Sequence, residues 1–410
     1  MRAVQYIRSV PRYLLSRFLG ANFPSLYTGS LSLVQLRQVE PPSLPNSKWV
    51  RIRSQLSGIC GSDLASICAK GSAYFSPITS TPFILGHEVV GEVIVAGDGV
   101  TTCKAGDRVV IEPALGCEVR GIEEKCPPCR AGQYAHCENV LEGDISPGIQ
   151  TGYCRDTGGG WGEEFVAHQS QVFQPPENLS DEEAVLVEPF SCSLHAALAG
   201  RPEDDQTALV IGCGAIGLLL IASLRGTDSK CRIIAVARHP HQQQMAKELG
   251  ADEVIEAGDS LYEKLSRSTS TRLYKPEIGR DTGIGGIDVT FDCVGTDSSI
   301  DDALRFTHAR GRVVLVGMPS IPKHVDWTAI WYKSLKVEGI YAYGWEEYEN
   351  ERIRTFDLAM RLMSEGKVKL ASLVGARYPL EQYREAVKSA LKTGQSRAVK
   401  TVIVVSENGA

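Results

Sequence analysis

The stretch TALVIGCGAIGLLLIASLRG, residues 207–226, decides the fold. A short apolar run stops at Gly212, and a second apolar run follows Gly217. Gly212, Gly214 and Gly217 fit the spacing G-x-G-x-x-G. That spacing alone is a weak signal. Its context here, a buried strand before it and an apolar helix after it, is the one a dinucleotide-binding turn requires. Gly212 makes the turn, Gly214 lets the backbone approach a pyrophosphate, and Gly217 lets helix and strand pack closely. The helix N-terminus at Ala215 and Ile216 offers free N–H groups to the phosphates. A glycine-rich turn in another α/β fold is the plainer alternative.

The residue about 20 positions after the last glycine reports on the ribose. Here it is Ala237, in AVARHPH, residues 235–241. No carboxylate takes a 2′-hydroxyl; Arg238 and His239 stand there instead. This favours a 2′-phosphate and hence NADP(H) over NAD(H). The alternative is that Arg238 only faces solvent.

Downstream, CRIIAVAR (231–238), GIDVTFDCVG (286–295) and GRVVLVGM (311–318) read as strands. HQQQMAKELGA (241–251) and SIDDALRFTH (299–308) read as helices. Such alternation means a parallel sheet. The polar stretch RSTSTRLYKPEIGRDTGIGG (267–286) is an exposed excursion. Upstream the texture differs. WVRIRSQLSGIC (49–60), EVVGEVIVAG (88–97) and DRVVIEP (107–113) are short β runs, and residues 116–160 are irregular. SDEEAVLVEPFSCSLHAALAG (180–200) is helical, with Ser180 as its N-cap. Near the C-terminus, TFDLAMRLMSEGKV and LEQYREAVKSALKTG are helices and KTVIVV is a closing strand.

The chain has 410 residues, 43% of them apolar, enough for two domains. A net charge of −6 argues against a general nucleic-acid binder. No run of 18 apolar residues suggests a transmembrane helix. Residues 1–39 hold five arginines and no lysine or acid, as a transit peptide would, but MRAVQYI already alternates like a strand. Of twelve cysteines, four lie between Cys117 and Cys137. Such clustering in a large chain suggests metal, a reducing compartment and a cytoplasmic location.

Cys117, Cys126, Cys129 and Cys137 include a C-P-P-C pair, and four thiolates without histidine favour a closed, structural zinc site. One disulfide with free thiols is the alternative. The other cysteines, Cys60 apart, lack such a pattern and are taken as core or surface thiols. A second set is Cys60, His87 in LGHEVVGEV and Glu188 in LVEPFSCSLHA, with Glu88 as a further ligand or a supporting group. Catalytic zinc takes three protein ligands and keeps an open position. An isolated cysteine is usually core and an isolated acid usually has a local partner; the nucleotide turn makes the joint metal reading the stronger one.

At this point the chain resembles the medium-chain, zinc-dependent alcohol dehydrogenase superfamily, nearest to its polyol, sorbitol and threonine dehydrogenase branch. GICGSD, GHEVVGEV, GDRVVIEP, the C-PPC-(x7)-C pattern, LVEPFSCSLHA, VIGCGAIG and DVTFDCVG carry the resemblance over roughly residues 50 to 400. It implies an α/β protein with a GroES-like β-barrel catalytic domain at 1–190, a structural zinc lobe at about 113–140, and completion by 345–410. A Rossmann domain, a doubly wound parallel sheet, occupies 191–344. It implies catalytic zinc on Cys60, His87 and the Glu188 position, Ser62 as the hydroxyl relaying the alcohol proton, and Asp63 as support for the histidine. Two zinc ions per chain, a small alcohol or ketone substrate and a homo-oligomer go with the same resemblance; the preference for NADP(H) rests on Ala237 and Arg238.

Three departures stand out. Eight residues, where the family has two, separate Cys117 from Cys126, and Glu123 occupies the position expected for the first lobe ligand. RSVPRYLLSRFLGANFPSLYTG (8–29) is a basic, partly amphipathic insertion that could cap the site, meet another copy, touch a membrane surface or simply pack as a surface helix. The polar excursion lengthens the Rossmann half. Two rival readings remain: a reductase of an activated C=C or imine on the same fold, and a zinc- or nucleotide-binding protein without catalysis.

Overall fold

The computed structural model describes residues 1–406 as two compact units. The first comprises Met1–Glu188, Arg352–Met360 and the chain from Leu370 onward; the second comprises Pro189–Glu351 and Arg361–Lys369.

The first unit is built on a seven-stranded sheet. Its longest strand, Trp49–Gly58, pairs antiparallel with Val89–Ala96, Glu164–His168 and Lys400–Val404. Branched residues on these strands, including Val50, Ile52, Val89, Val93, Val109 and Ile111, pack on Phe165 in one fully buried cluster. The closing strand explains why the far C-terminus belongs to this unit: Ile403 lies opposite Ser57 and joins a core with Trp161, Phe83 and Tyr153. A smaller sheet holds Arg2–Tyr6 between Val34–Gln38 and Phe83–Ile84. The insertion after the first strand is a helix, Val10–Leu19, with Pro11 in its first turn, followed by the short turn Ser25–Thr28. Ser16, Tyr27 and Thr28 face inward.

The second unit carries a six-stranded, wholly parallel sheet. From one edge to the other its strands are Glu253–Glu256, Arg232–Ala237, Thr207–Ile211, Ile287–Asp292, Thr307–Leu315 and Lys336–Gly339. Numbered along the chain, this is the order 3-2-1-4-5-6, that of a dinucleotide-binding sheet, with the topological switch beside Thr207–Ile211. Gly212 follows that strand with φ +94°, a conformation costly for any residue with a Cβ. A Cβ on Gly217 would overlap the Gly212 carbonyl oxygen, so the helix Ala215–Gly226 can start this close to the strand only with glycine there.

Three details differ from the sequence expectations. Residues 180–200 form two helices, Asp181–Ala184 with a Ser180–Glu183 capping box, and Val187–Ala199. The polar excursion folds as a hairpin of Arg272–Tyr274 on Thr282–Ile284. The expected boundaries at 190/191 and 344/345 shift: the first change falls at 188/189, and Trp345–Tyr348 and Arg361–Lys369 stay with the nucleotide-binding unit. Buried Leu362, Met363 and Val368, the last against Gly226, and three ion pairs go with the latter. Glu346 meets His195 at 2.7 Å, Arg361 meets Glu351 at 3.0 Å, and Lys367 meets Asp228 at 3.4 Å.

Candidate active site

The helix Gly61–Ile67 begins where the strand Trp49–Gly58 ends, and its N-cap is Cys60. Asp63 is fully buried and accepts a hydrogen bond from the Cys60 backbone N–H at 2.9 Å. Its other carboxylate oxygen faces His87 Nδ1 at 3.6 Å. Asp63 therefore holds the backbone of Cys60 and sets its charge against Nδ1 of His87, which leaves Nε2 for the site.

The ligand atoms of Cys60, His87 and Glu88 lie within 4.8 Å of one another. Glu188 is buried in the first turn of Val187–Ala199, and its negative charge raises the proton affinity of both His87 and Lys400. Burial opposes a charged imidazole, yet Asp63, Cys60 and Glu188 together raise His87 to about 10. Burial, helped by the charge of Glu88, pushes the Asp63 carboxyl upward, against the pull of His87. This gathering of anionic donors around one buried ring, only part of it balanced by Lys400, could hold a metal ion. One thiolate, one imidazole and carboxylates are also donors that zinc accepts.

Lys400 was not visible as a site residue in the sequence. It is buried, arrives on the closing strand and forms an ion pair with Glu88 from 312 residues away. Tyr153 was missed as well. Its hydroxyl lies 3.1 Å from Ser66 Oγ and beside Ser62, and its ring tilts against His87 with centroids 6.1 Å apart. Ser62 and Ser66 sit one helical turn apart and share a face. Ser62 Oγ is buried beside the metal-ligand set, with the Tyr153 hydroxyl as its neighbour. A serine hydroxyl both donates and accepts, so this oxygen can meet a bound substrate while it keeps Tyr153 as a neighbour.

The second cluster is closed. The Sγ atoms of Cys117 stand 3.5 Å from Cys126 and 3.6 Å from Cys137, and Cys126 stands 4.0 Å from Cys137. All four sulfurs, Cys129 included, lie within 4.8 Å of one another. Thiolates around a tetrahedral zinc at about 2.3 Å sit about 3.8 Å apart, so the spacing suits the ion. All twelve cysteines are thiols. Backbone N–H groups of Cys117, Cys126 and Glu138 and the Asn139 amide point at these sulfurs, each at 3.4 Å. Burial pushes Cys126 up, but the N–H groups of Glu138 and Cys129 outweigh it and bring the thiol down to about 7. Contact with Cys137 pushes Cys129 upward, so the four compete for protons as a set without a cation must. Burial lifts Cys68 to about 11 and Cys213 to about 12, as expected of inert packing thiols. Glu123 is exposed and lies outside the sulfur cluster. The enlarged spacer instead contributes Arg120, fully buried, whose guanidinium donates to the carbonyls of Leu115, Glu142, Ile145 and Gly148.

At the nucleotide turn, Ala237 is buried at the end of its strand and Arg238 is exposed just beyond it. His239 caps the helix Pro240–Glu248, its ring stacked on His241 at 5.7 Å.

Comparisons with known proteins give the family. The family profile "Alcohol dehydrogenase GroES-like domain" matches residues 46–177, and "Zinc-binding dehydrogenase" matches residues 215–357. The chain is 30% identical to (R,R)-butanediol dehydrogenase of Bacillus subtilis over 362 residues, 86% of this chain and 91% of that one. It is 29% identical to sorbitol dehydrogenase of the same organism over 364 residues, 87% and 91% of the two chains. The crystal structure of 2R,3R-butanediol dehydrogenase from Bacillus subtilis superposes with a TM-score of 0.72, at 25% identity and 99% coverage of both chains. This chain belongs to the zinc-dependent, medium-chain alcohol dehydrogenase family and is an oxidoreductase of that family, with polyol dehydrogenases among its relatives.

Proposed function

We propose that this enzyme transfers hydride between NADP(H) and a secondary alcohol or polyol, or the corresponding ketone. The observation that carries the reading is the buried Ser62 Oγ, in line with the Tyr153 and Ser66 hydroxyls, beside the gathered Cys60, His87 and Glu88. Cys60 and His87, with Glu188 or Glu88, would hold catalytic zinc, which when bound polarises the substrate oxygen and lowers its pKa. The nicotinamide supplies the hydride chemistry. Ser62 accepts the alcohol proton at Oγ and passes its own outward; Tyr153 and Ser66 continue the line of hydroxyls. Asp63 keeps His87 oriented, and Lys400 balances the charge of Glu88. Cys117, Cys126, Cys129 and Cys137 would hold a second, structural zinc. The enzyme acts as a dimer or tetramer in the cytoplasm. In support of assembly, Trp327, Trp331 and Tyr332 stand exposed near the end strand Lys336–Gly339.

A panel of secondary alcohols, polyols, amino alcohols, their ketones, enones and imines, assayed with both cofactors, tests the reading. Turnover confined to enones or imines, or absent throughout, would reject it. Ser62→Ala should slow alcohol oxidation by about 10²–10⁴-fold, the range of general acid–base catalysis, while zinc content stays unchanged. An unchanged rate removes Ser62 from the proton path.

The cofactor preference rests on Ala237 and Arg238. Without an acid at 237 nothing repels a 2′-phosphate, and the exposed guanidinium is free to meet it. A charge-assisted hydrogen bond contributes about 1.5–3 kcal/mol. Arg238→Ala should therefore weaken NADP(H) roughly ten- to a hundredfold and leave NAD(H) nearly untouched. The check is the ratio of kcat/KM for the two cofactors with one substrate. A wild type that favours NAD(H) by roughly tenfold or more ends this reading.

A further inference from the structure

The insertion at residues 8–29 buries one side of its helix and leaves the other bare. Val10, Leu14 and Phe18 follow a four-residue spacing and form one exposed stripe, with Phe18 73% exposed. Leu19 and Phe23 extend it. The Arg17 guanidinium donates to the Ala69 carbonyl at 2.7 Å, tying this helix to the turn that leads into residues 73–78, where Tyr74 is 79% exposed and Phe75 is also bare. Soluble proteins rarely leave so many large apolar side chains together in water without a use for them.

The charge around this face is segregated. The chain carries a net −6, yet residues 1–39 and 64–87 contain no Asp or Glu. Arg8, Arg17 and Lys70 are exposed there. The helix Tyr383–Leu391, packed against this part of the unit, brings acids that are already paired: Glu385 with Lys388, and the preceding Glu381 with Arg2. Apolar and aromatic side chains edged by unopposed cations complement one surface best, the headgroup zone of an anionic bilayer, where aliphatic and aromatic groups enter the acyl boundary and cations meet phosphates. No helix among the described residues is long and apolar enough to cross a membrane. We propose that this face docks the enzyme peripherally on an anionic lipid surface.

The test is sedimentation of the full-length, zinc-loaded enzyme with phosphatidylcholine vesicles, with and without phosphatidylserine. Each cation near an anionic surface strengthens binding roughly fivefold, so three predict a preference on the order of a hundredfold, lost in high salt. Leu14→Glu with Phe18→Glu should reduce binding at least about tenfold without changing the melting temperature, because both side chains are exposed. Arg8→Glu with Lys70→Glu should weaken binding to phosphatidylserine vesicles alone. Equal binding to both vesicle types overturns the proposal, as does no binding to either. If the Leu14/Phe18 variant instead dissociates an oligomer and wild type ignores vesicles, the face belongs to a second copy and the proposal fails.

Discussion

Cys60→Ala is expected to give a folded protein that binds nucleotide and turns over no alcohol. The fold should survive because the Cys60 backbone N–H bond to Asp63, one half of the capping box at this turn, does not need the thiol. The nucleotide site should survive because its turn, Gly212–Gly217, belongs to the other unit. What goes is one of the donors gathered within 4.8 Å of His87 and Glu88, and with it the cation-binding field. Metal-ion activation of a substrate oxygen supplies several kcal/mol of barrier lowering. Its loss should reduce kcat/KM by at least about 10³-fold. Three measurements decide the matter: zinc per chain, nucleotide affinity and turnover. Zinc should fall by one equivalent and affinity should hold. Wild-type turnover that persists after every zinc ion is removed would show that Cys60 is only a packing thiol.

The parts of the molecule legible in the sequence are those where backbone geometry or short spacing dictates the residue. The nucleotide turn is one: Gly212 has a positive φ and Gly217 has no room for a Cβ, so the pattern is a direct record of sterics. The C-P-P-C pair is another, since a two-residue spacer already brings two sulfurs together. The parallel sheet was legible because its strands are buried on both faces and read as apolar runs. Pairings across the chain were not. Nothing near Glu88 announces Lys400, which reaches it only because the last strand lies antiparallel on Trp49–Gly58. Tyr153 sits in an irregular glycine-rich segment with no periodicity to mark it. The division at Arg361–Lys369 was not legible because a pattern of apolar and charged residues on a helix does not say which unit supplies the partners, here Gly226 for Val368 and Asp228 for Lys367. In the insertion, helical periodicity was visible, but which of its apolar residues face inward depends on a core assembled from Tyr27, Phe83 and Tyr383.

The cysteine lobe gives the second large effect, on stability instead of chemistry. Two zinc ions per chain are expected, and Cys129→Ser should remove only the structural one. Structural zinc contributes about 10–16 kcal/mol of apparent binding energy in small zinc domains. A lobe inside a larger unit loses less, because Arg120 still clamps four of its carbonyls. Even about 3 kcal/mol would lower the melting temperature by roughly 6–12 °C at this domain size. Residual alcohol turnover at low temperature should be largely retained. Cys117 and Glu123 are separable in the same experiment. The Cys117 sulfur lies 3.5 Å and 3.6 Å from two of its companions, while Glu123 is exposed. Cys117→Ser should therefore cost as much stability as Cys129→Ser, and Glu123→Gln should cost almost nothing. The reverse order would make Glu123 the fourth ligand. One zinc per chain together with a disulfide in the lobe would mean that these four sulfurs do not hold a metal at all.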